Sequence, residues 1–204
     1  MQNKITSNLM LRYATAYKKA RVKTLIFDNY EDPFMVFRDF FSSSDIENHL
    51  AMLKRMYKHA SVNRRFKKHP ADIVLYYEIF TNLLNATWII FKTNIRFKDL
   101  EAKEKYLGIG TGGELSNESL TKYLAEGEIE DAYRGFYNAF AHISLTEYHR
   151  RLNNWYKLSL CGDDHDDEDK LGRKIYKMLK KLMVCSWLIY EREILQSEAV
   201  LVKP

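Results

Sequence analysis

The chain has 204 residues, of which 46% are hydrophobic, and it carries a formal net charge of +5. This length fits one domain over 1–204 with ample apolar material for a core. The two cysteines, Cys161 and Cys185, form no disulfide framework and no metal-binding pattern. Since the N-terminus also lacks the apolar run of a secretion signal, we expect a reducing, cytoplasmic location.

The first part of the chain predicts two amphipathic helices. Apolar residues recur on one face of 4–27, and lysine and arginine occupy the rest. A breaker at 28–33 ends in a proline, which stops a preceding helix, and a short apolar segment follows at 34–41. The run Ser44-Asp45-Ile46-Glu47 has the form of a capping box and predicts a helix over 45–60.

The stretch around which the rest is arranged is 71–93. Its length also fits a membrane span, but acidic and amide side chains interrupt it, and such groups are costly in lipid. Pro70 is suited to the first position of a helix. We therefore predict a buried central helix, because apolar residues recur at helical spacing: Ile73, Tyr76, Tyr77, Phe80, Leu83, Leu84, Trp88 and Phe91.

After the central helix the pattern remains helical. The segment 96–107 is mostly polar, so a helix there should lie on the surface. A short helix is predicted over 116–127, one broken helix or two over 128–158, and a last long helix over 170–196. No segment alternates as a half-buried strand does. The predicted fold is an all-α bundle of five or more helices around the central one.

Two clusters of basic residues predict contact with nucleic acid, because cations neutralise phosphates and an aromatic ring among them can stack on a base. The alternative is a pair of solvated faces. The first cluster follows Lys54 of the preceding helix and comprises Arg64, Arg65, Phe66, Lys67 and Lys68. The second lies on the last helix and comprises Arg173, Lys174, Lys177, Lys180 and Lys181.

A short motif points to a different chemistry. The segment from Tyr137 to His142, YNAFAH, resembles the Arg-Asn-x-x-x-His motif of the helical HEPN ribonucleases, with tyrosine in place of arginine. The resemblance implies that His142 acts on a phosphodiester and that Asn138 orients it. The missing cation can come from Arg134, which shares a helical face with Asn138. The alternative is a histidine at the edge of the core.

Other motifs predict neither a cofactor nor a metal. The loop GIGTGG at 108–113 follows a helical segment rather than a strand, so it lacks the context of a dinucleotide site. The acidic run at 163–169 lacks the glycine and glutamate positions of a calcium loop. Three hypotheses remain. The first is a non-catalytic protein that binds nucleic acid, with RNA favoured, or a nucleoprotein complex. The second is a divergent HEPN-like ribonuclease, and the third is a protein–protein adaptor or a subunit of a helical oligomer.

Overall fold

The computed structural model describes residues 32–61, 70–99, 115–161 and 170–195. In these ranges all regular structure is helical, which confirms the predicted all-α bundle. A 3-10 turn at Phe97–Asp99 and a π-helix at Tyr190–Leu195 complete it. The α-helices in chain order are α1 (Pro33–Ser43), α2 (Ile46–Ser61), α3 (Pro70–Thr93), α4 (Asn117–Thr121), α5 (Glu126–Glu130), α6 (Tyr133–Phe140), α7 (Leu145–Cys161) and α8 (Lys170–Ile189).

Several predictions fall outside the described residues. These are the helix over 4–27, the basic cluster Arg64 to Lys68, the glycine-rich loop at 108–113 and the acidic run at 163–169. The extent of the single domain over 1–204 therefore stays a prediction.

The central helix is α3, which packs against α1, α6, α7 and α8. Two of its buried threonines form hydrogen bonds within the helix: the hydroxyls of Thr87 and Thr93 donate to carbonyl groups of the preceding turn, both at 2.8 Å. Asn85 accepts a hydrogen bond at 2.8 Å from His149 of α7. Among the described helices, α3 is also the one whose length and composition could cross a membrane, and 56% of its most apolar window is buried in the bundle.

Helix starts differ from the predicted ones by single residues. The cap of α2 is Asp45, whose carboxylate accepts from the backbone amide of Asn48 at 2.7 Å, so the cap lies one residue after Ser44. Both residue types are good caps, and the sequence alone did not rank them. Pro33, which was expected to stop a preceding helix, is the first residue of α1. Asp32 caps this helix, since its side chain accepts from the amide of Phe34 at 3.0 Å.

The second half of the chain is more broken than predicted. The segment 116–127 contains α4 and the start of α5, and the segment 128–158 spans parts of α5, α6 and α7. The helix expected on the surface at 96–107 is replaced at its start by the 3-10 turn. Phe97 in that turn is buried. Burial of its aromatic ring therefore holds this segment against the core, although its neighbours in sequence are polar.

Helices α6 and α8 approach closely at one glycine. Gly135 is buried on α6, and a Cβ atom built on it would lie only 2.2 Å from Sγ of Cys185 on α8. Cys185 is fully buried and free, and burial raises the pKa of its thiol. The thiol of Cys185 therefore occupies the space that a side chain at position 135 would need, and the absence of that side chain sets the distance between the helices.

We expect Gly135→Ala to lower the free energy of unfolding by about 1–3 kcal/mol through overpacking. The sign is informative, because the same change in an exposed helix normally stabilises by roughly 0.5–1 kcal/mol. Urea denaturation measures the change. The double variant Gly135→Ala/Cys185→Ala removes the sulfur and should regain most of the loss, whereas a single variant as stable as the wild type would contradict this packing.

Candidate functional site

The structure places the predicted basic residues of α8 in two different settings. Arg173, Lys174 and Lys177 are exposed. The ammonium of Lys181 instead donates to both carboxylate oxygens of Glu128, at 2.6 and 2.7 Å, and only 17% of its side chain is exposed. The structure thus places Lys181 against an acidic partner inside the bundle and not on the exposed face of α8.

A polar groove lies where α2, the end of α4 and α8 meet. It has a volume of about 380 Å³ and is open to solvent on one side. We call it the lysine groove. Its lining residues are Glu47, Leu50, Ala51, Lys54, Leu115, Ser119, Lys122, Tyr123, Tyr176 and Lys180.

Helical spacing brings these residues together. On α2, positions 47, 50, 51 and 54 fall on one face, and on α8, Tyr176 and Lys180 are one turn apart. Ser119, Lys122 and Tyr123 come from the last turn of α4 and the turn that follows it. Three separate segments of the chain therefore each supply one lysine.

Two tyrosine rings hold the side chain of Lys180. Its Nζ lies 4.5 Å from the centroid of the Tyr176 ring and 5.5 Å from that of Tyr123, both within reach of a cation–π interaction. Tyr176 is itself stacked on Tyr57, with centroids 4.2 Å apart and planes 8° from parallel. Behind Tyr57 the buried ring of Trp155 packs edge-on at 5.1 Å, so the support of Lys180 extends into the core.

Among the described residues that line the groove, lysines outnumber acidic side chains by three to one. Within the described ranges, neither Lys54 nor Lys122 nor Lys180 forms an ion pair, and Glu47 is the one carboxylate in the lining. Burial lowers the pKa of Lys180, and the neighbouring charges of Lys177 and Lys54 lower it further. An anion bound among these lysines relieves their mutual repulsion.

The residues of the HEPN-like motif are exposed. Arg134 and Asn138 lie on α6, and His142 lies two residues beyond its end. The amide of Asn138 donates to Glu128 at 2.6 Å, and the guanidinium of Arg134 lies 3.7 Å from Asp131. Both polar groups thus have acidic partners, and within the described ranges no hydrogen bond or ion pair joins either of them to His142. The ribonuclease hypothesis stays a prediction.

A second group of titratable side chains fastens the segment after α3. The hydroxyl of Tyr133 accepts from the amide of Phe97 and donates to Glu193 in the π-helix, both at 3.0 Å. Arg96 bonds to Asp131 at 2.9 Å. Burial raises the pKa of both Tyr133 and Glu193. Since these groups bond to one another, their role in this structure is to connect the segment after α3 to α6 and the π-helix.

Reasoning from sequence found part of the lysine groove. Lys54 and Lys180 were recognised as members of basic clusters, but Lys122, Tyr123 and Tyr176 were missed. The available signals were the i, i+4 spacing of Tyr176 with Lys180, which places an aromatic ring beside a cation, and that of Ser119 with Tyr123, which places a hydroxyl beside an aromatic ring. Nothing in the sequence states that these two pairs face each other.

No group of three or more histidine, cysteine, aspartate or glutamate side chains that could hold a metal ion occurs in the described part of the chain. Comparison of the chain with protein-family models, with curated proteins and with solved structures finds no match.

Proposed function

We propose that the protein binds nucleic acid, free or in a nucleoprotein complex, through phosphate contacts in the lysine groove and without catalysing a reaction. The observation that carries the proposal is the set of three lysines from three segments that line one groove and form no ion pair with the described residues. Lysines that serve only solubility are normally dispersed or paired on the surface. Phosphate is the ligand that such a cluster favours, because each contact releases a counterion from the nucleic acid.

The exposed face of α8 extends this surface. Arg173, Lys177 and Lys180 follow one another at spacings of four and three, so they form one stripe along the helix that ends in the groove. At 1.5 Å per residue the stripe is about 10 Å long. Phosphates along one strand of B-DNA are about 3.4 Å apart along the axis, so the stripe matches roughly three of them.

The tyrosines favour contacts that do not depend on sequence. Tyr57 covers one face of the Tyr176 ring, and the ammonium of Lys180 lies over the other. Because both faces of the Tyr176 ring are covered, neither is free for a nucleic-acid base to stack on. Phosphate contacts by lysine carry no base information, so we expect little discrimination between sequences.

The test compares two variants of equal net charge. Lys54→Gln/Lys122→Gln/Lys180→Gln removes three charges from the groove, and Lys92→Gln/Lys98→Gln/Lys157→Gln removes three elsewhere. Fluorescence anisotropy with a labelled oligonucleotide at about 50 mM salt should show a roughly hundredfold loss of affinity for the groove variant. The control should change by no more than about threefold, since distant exposed charges are screened.

Two results would contradict the proposal. One is the absence of any binding by the wild type at this low salt. The other is an equal loss in both variants, because net charge alone would then explain the affinity and the groove would have no special part in it.

A further inference from the structure

Lys180 combines three features that belong to a nucleophilic amine rather than to a simple surface charge. It is half-buried, it opens into a groove large enough for a small molecule, and two aromatic rings fix its position. The other lysines of α8 near it, Lys174 and Lys177, are exposed. Lysine amines become nucleophiles when they are desolvated or placed beside other cations.

The surroundings of the amine support this view. In the part of the chain that the structure describes, the charged groups around it are Lys54, Lys122 and Lys177, with Glu47 as the one carboxylate in the groove lining. Burial and two of these cations lower the pKa of Lys180, which increases the unprotonated fraction at neutral pH. Lys54 and Lys122 remain available to hold an anionic group of a ligand.

We propose that Lys180 condenses with the carbonyl group of a small molecule that also carries a phosphate. The unprotonated Nζ attacks the carbonyl carbon, and a proton passes from nitrogen to oxygen to give a carbinolamine. Loss of one water then leaves an imine, so one amine and one carbonyl are consumed without any oxidation or reduction. Lys54 and Lys122 bind the phosphate and direct the carbonyl to Lys180. This inference needs the groove but does not require that the protein bind nucleic acid.

The experiment uses the whole chain and pyridoxal 5′-phosphate as the probe. The protein is treated with less than one equivalent of the aldehyde at neutral pH, the imine is reduced with borohydride, and the modified lysines are located by peptide mass mapping. We expect Lys180 to be modified several-fold more than Lys174 or Lys177 of the same helix. Pyridoxal, which has no phosphate, should modify Lys180 no more than Lys174 or Lys177. The same loss of preference is expected when the variant Lys54→Gln/Lys122→Gln is treated with pyridoxal 5′-phosphate.

Equal modification of Lys180 and its exposed neighbours would overturn the proposal, as would a preference that persists with pyridoxal. The labelling is read in the absence of any oligonucleotide, so the two proposals fail separately. Selective modification of Lys180 in a protein that does not bind an oligonucleotide would support this proposal and contradict the proposed function, whereas oligonucleotide binding without selective modification would overturn this proposal alone.

Discussion

Replacing Lys181 with methionine should lower the free energy of unfolding by about 3–5 kcal/mol, the usual cost of leaving one charge of a buried pair without its partner. Its partner Glu128 is only 3% exposed and accepts four hydrogen bonds, two of them from Lys181. The other two come from Asn138 and from the backbone amide of Ala125, at 2.6 and 2.9 Å. Burial acts to raise the pKa of Glu128, but these hydrogen bonds outweigh it, so the pKa lies below its usual value.

Two further variants make this prediction specific. In Lys181→Met/Glu128→Gln no charge remains buried, and the glutamine can still accept from the Ala125 amide, so most of the lost stability should return. Lys177→Met removes an exposed lysine one turn earlier on α8 and should change stability by less than about 0.5 kcal/mol. Urea unfolding measures all three. If Lys181→Met and Lys177→Met were equally mild, the ion pair would not be an internal support of the fold.

The second large effect is a loss of stability on acidification that depends on His49. This side chain is fully buried on α2, its ring stacks on that of Phe40 at 3.9 Å, and its Nε2 donates to the Phe40 carbonyl at 2.9 Å. Burial lowers the pKa of His49 from 6.5 to about 4. As the pH falls below 6.5 the unfolded chain takes up a proton that the folded protein does not. The free energy of unfolding therefore falls between pH 6.5 and pH 4, by about 3 kcal/mol in all.

The variant His49→Gln isolates this effect, because its side-chain amide can donate to the same carbonyl but does not titrate. Urea unfolding is followed from neutral pH to pH 4 for the wild type and the variant. As the pH falls from 6.5 to 4, the wild type should lose more unfolding free energy than His49→Gln does. Burial also lowers the pKa of His149, but that residue is present in both proteins and cancels. A constant difference between the two proteins would show that His49 is not the group that titrates.

The helical fold was predictable because burial imposes a periodic pattern on the chain. The central helix was predicted over 71–93 and is observed over Pro70–Thr93, since its apolar residues recur at helical spacing and Pro70 marks its start. Helix ends were less predictable where two neighbouring residues can each cap the helix, as Ser44 and Asp45 can at the start of α2. The breaks between α5, α6 and α7 were foreseen only as a possibility, because apolar residues continue through them.

The candidate site was less predictable because it depends on which helices become neighbours. Lys177 and Lys181 are one turn apart in the same basic run, yet the first is exposed and the second is held by Glu128, a residue 53 positions away. Lys122 has no basic neighbours in sequence and joins the groove only through the packing of α4 near α2 and α8. Charge in a sequence thus indicates a class of partner, but the contacting residues follow from tertiary structure.

The most direct test of the lysine groove is the dependence of affinity on salt for a single-stranded oligonucleotide. Each phosphate contact contributes about −0.7 to the slope of log K against log salt. We predict that the slope for Lys54→Gln/Lys122→Gln/Lys180→Gln is shallower than that of the wild type by about 2, while that of Lys92→Gln/Lys98→Gln/Lys157→Gln is unchanged. Identical slopes for the wild type and the groove variant would show that these lysines do not contact phosphates.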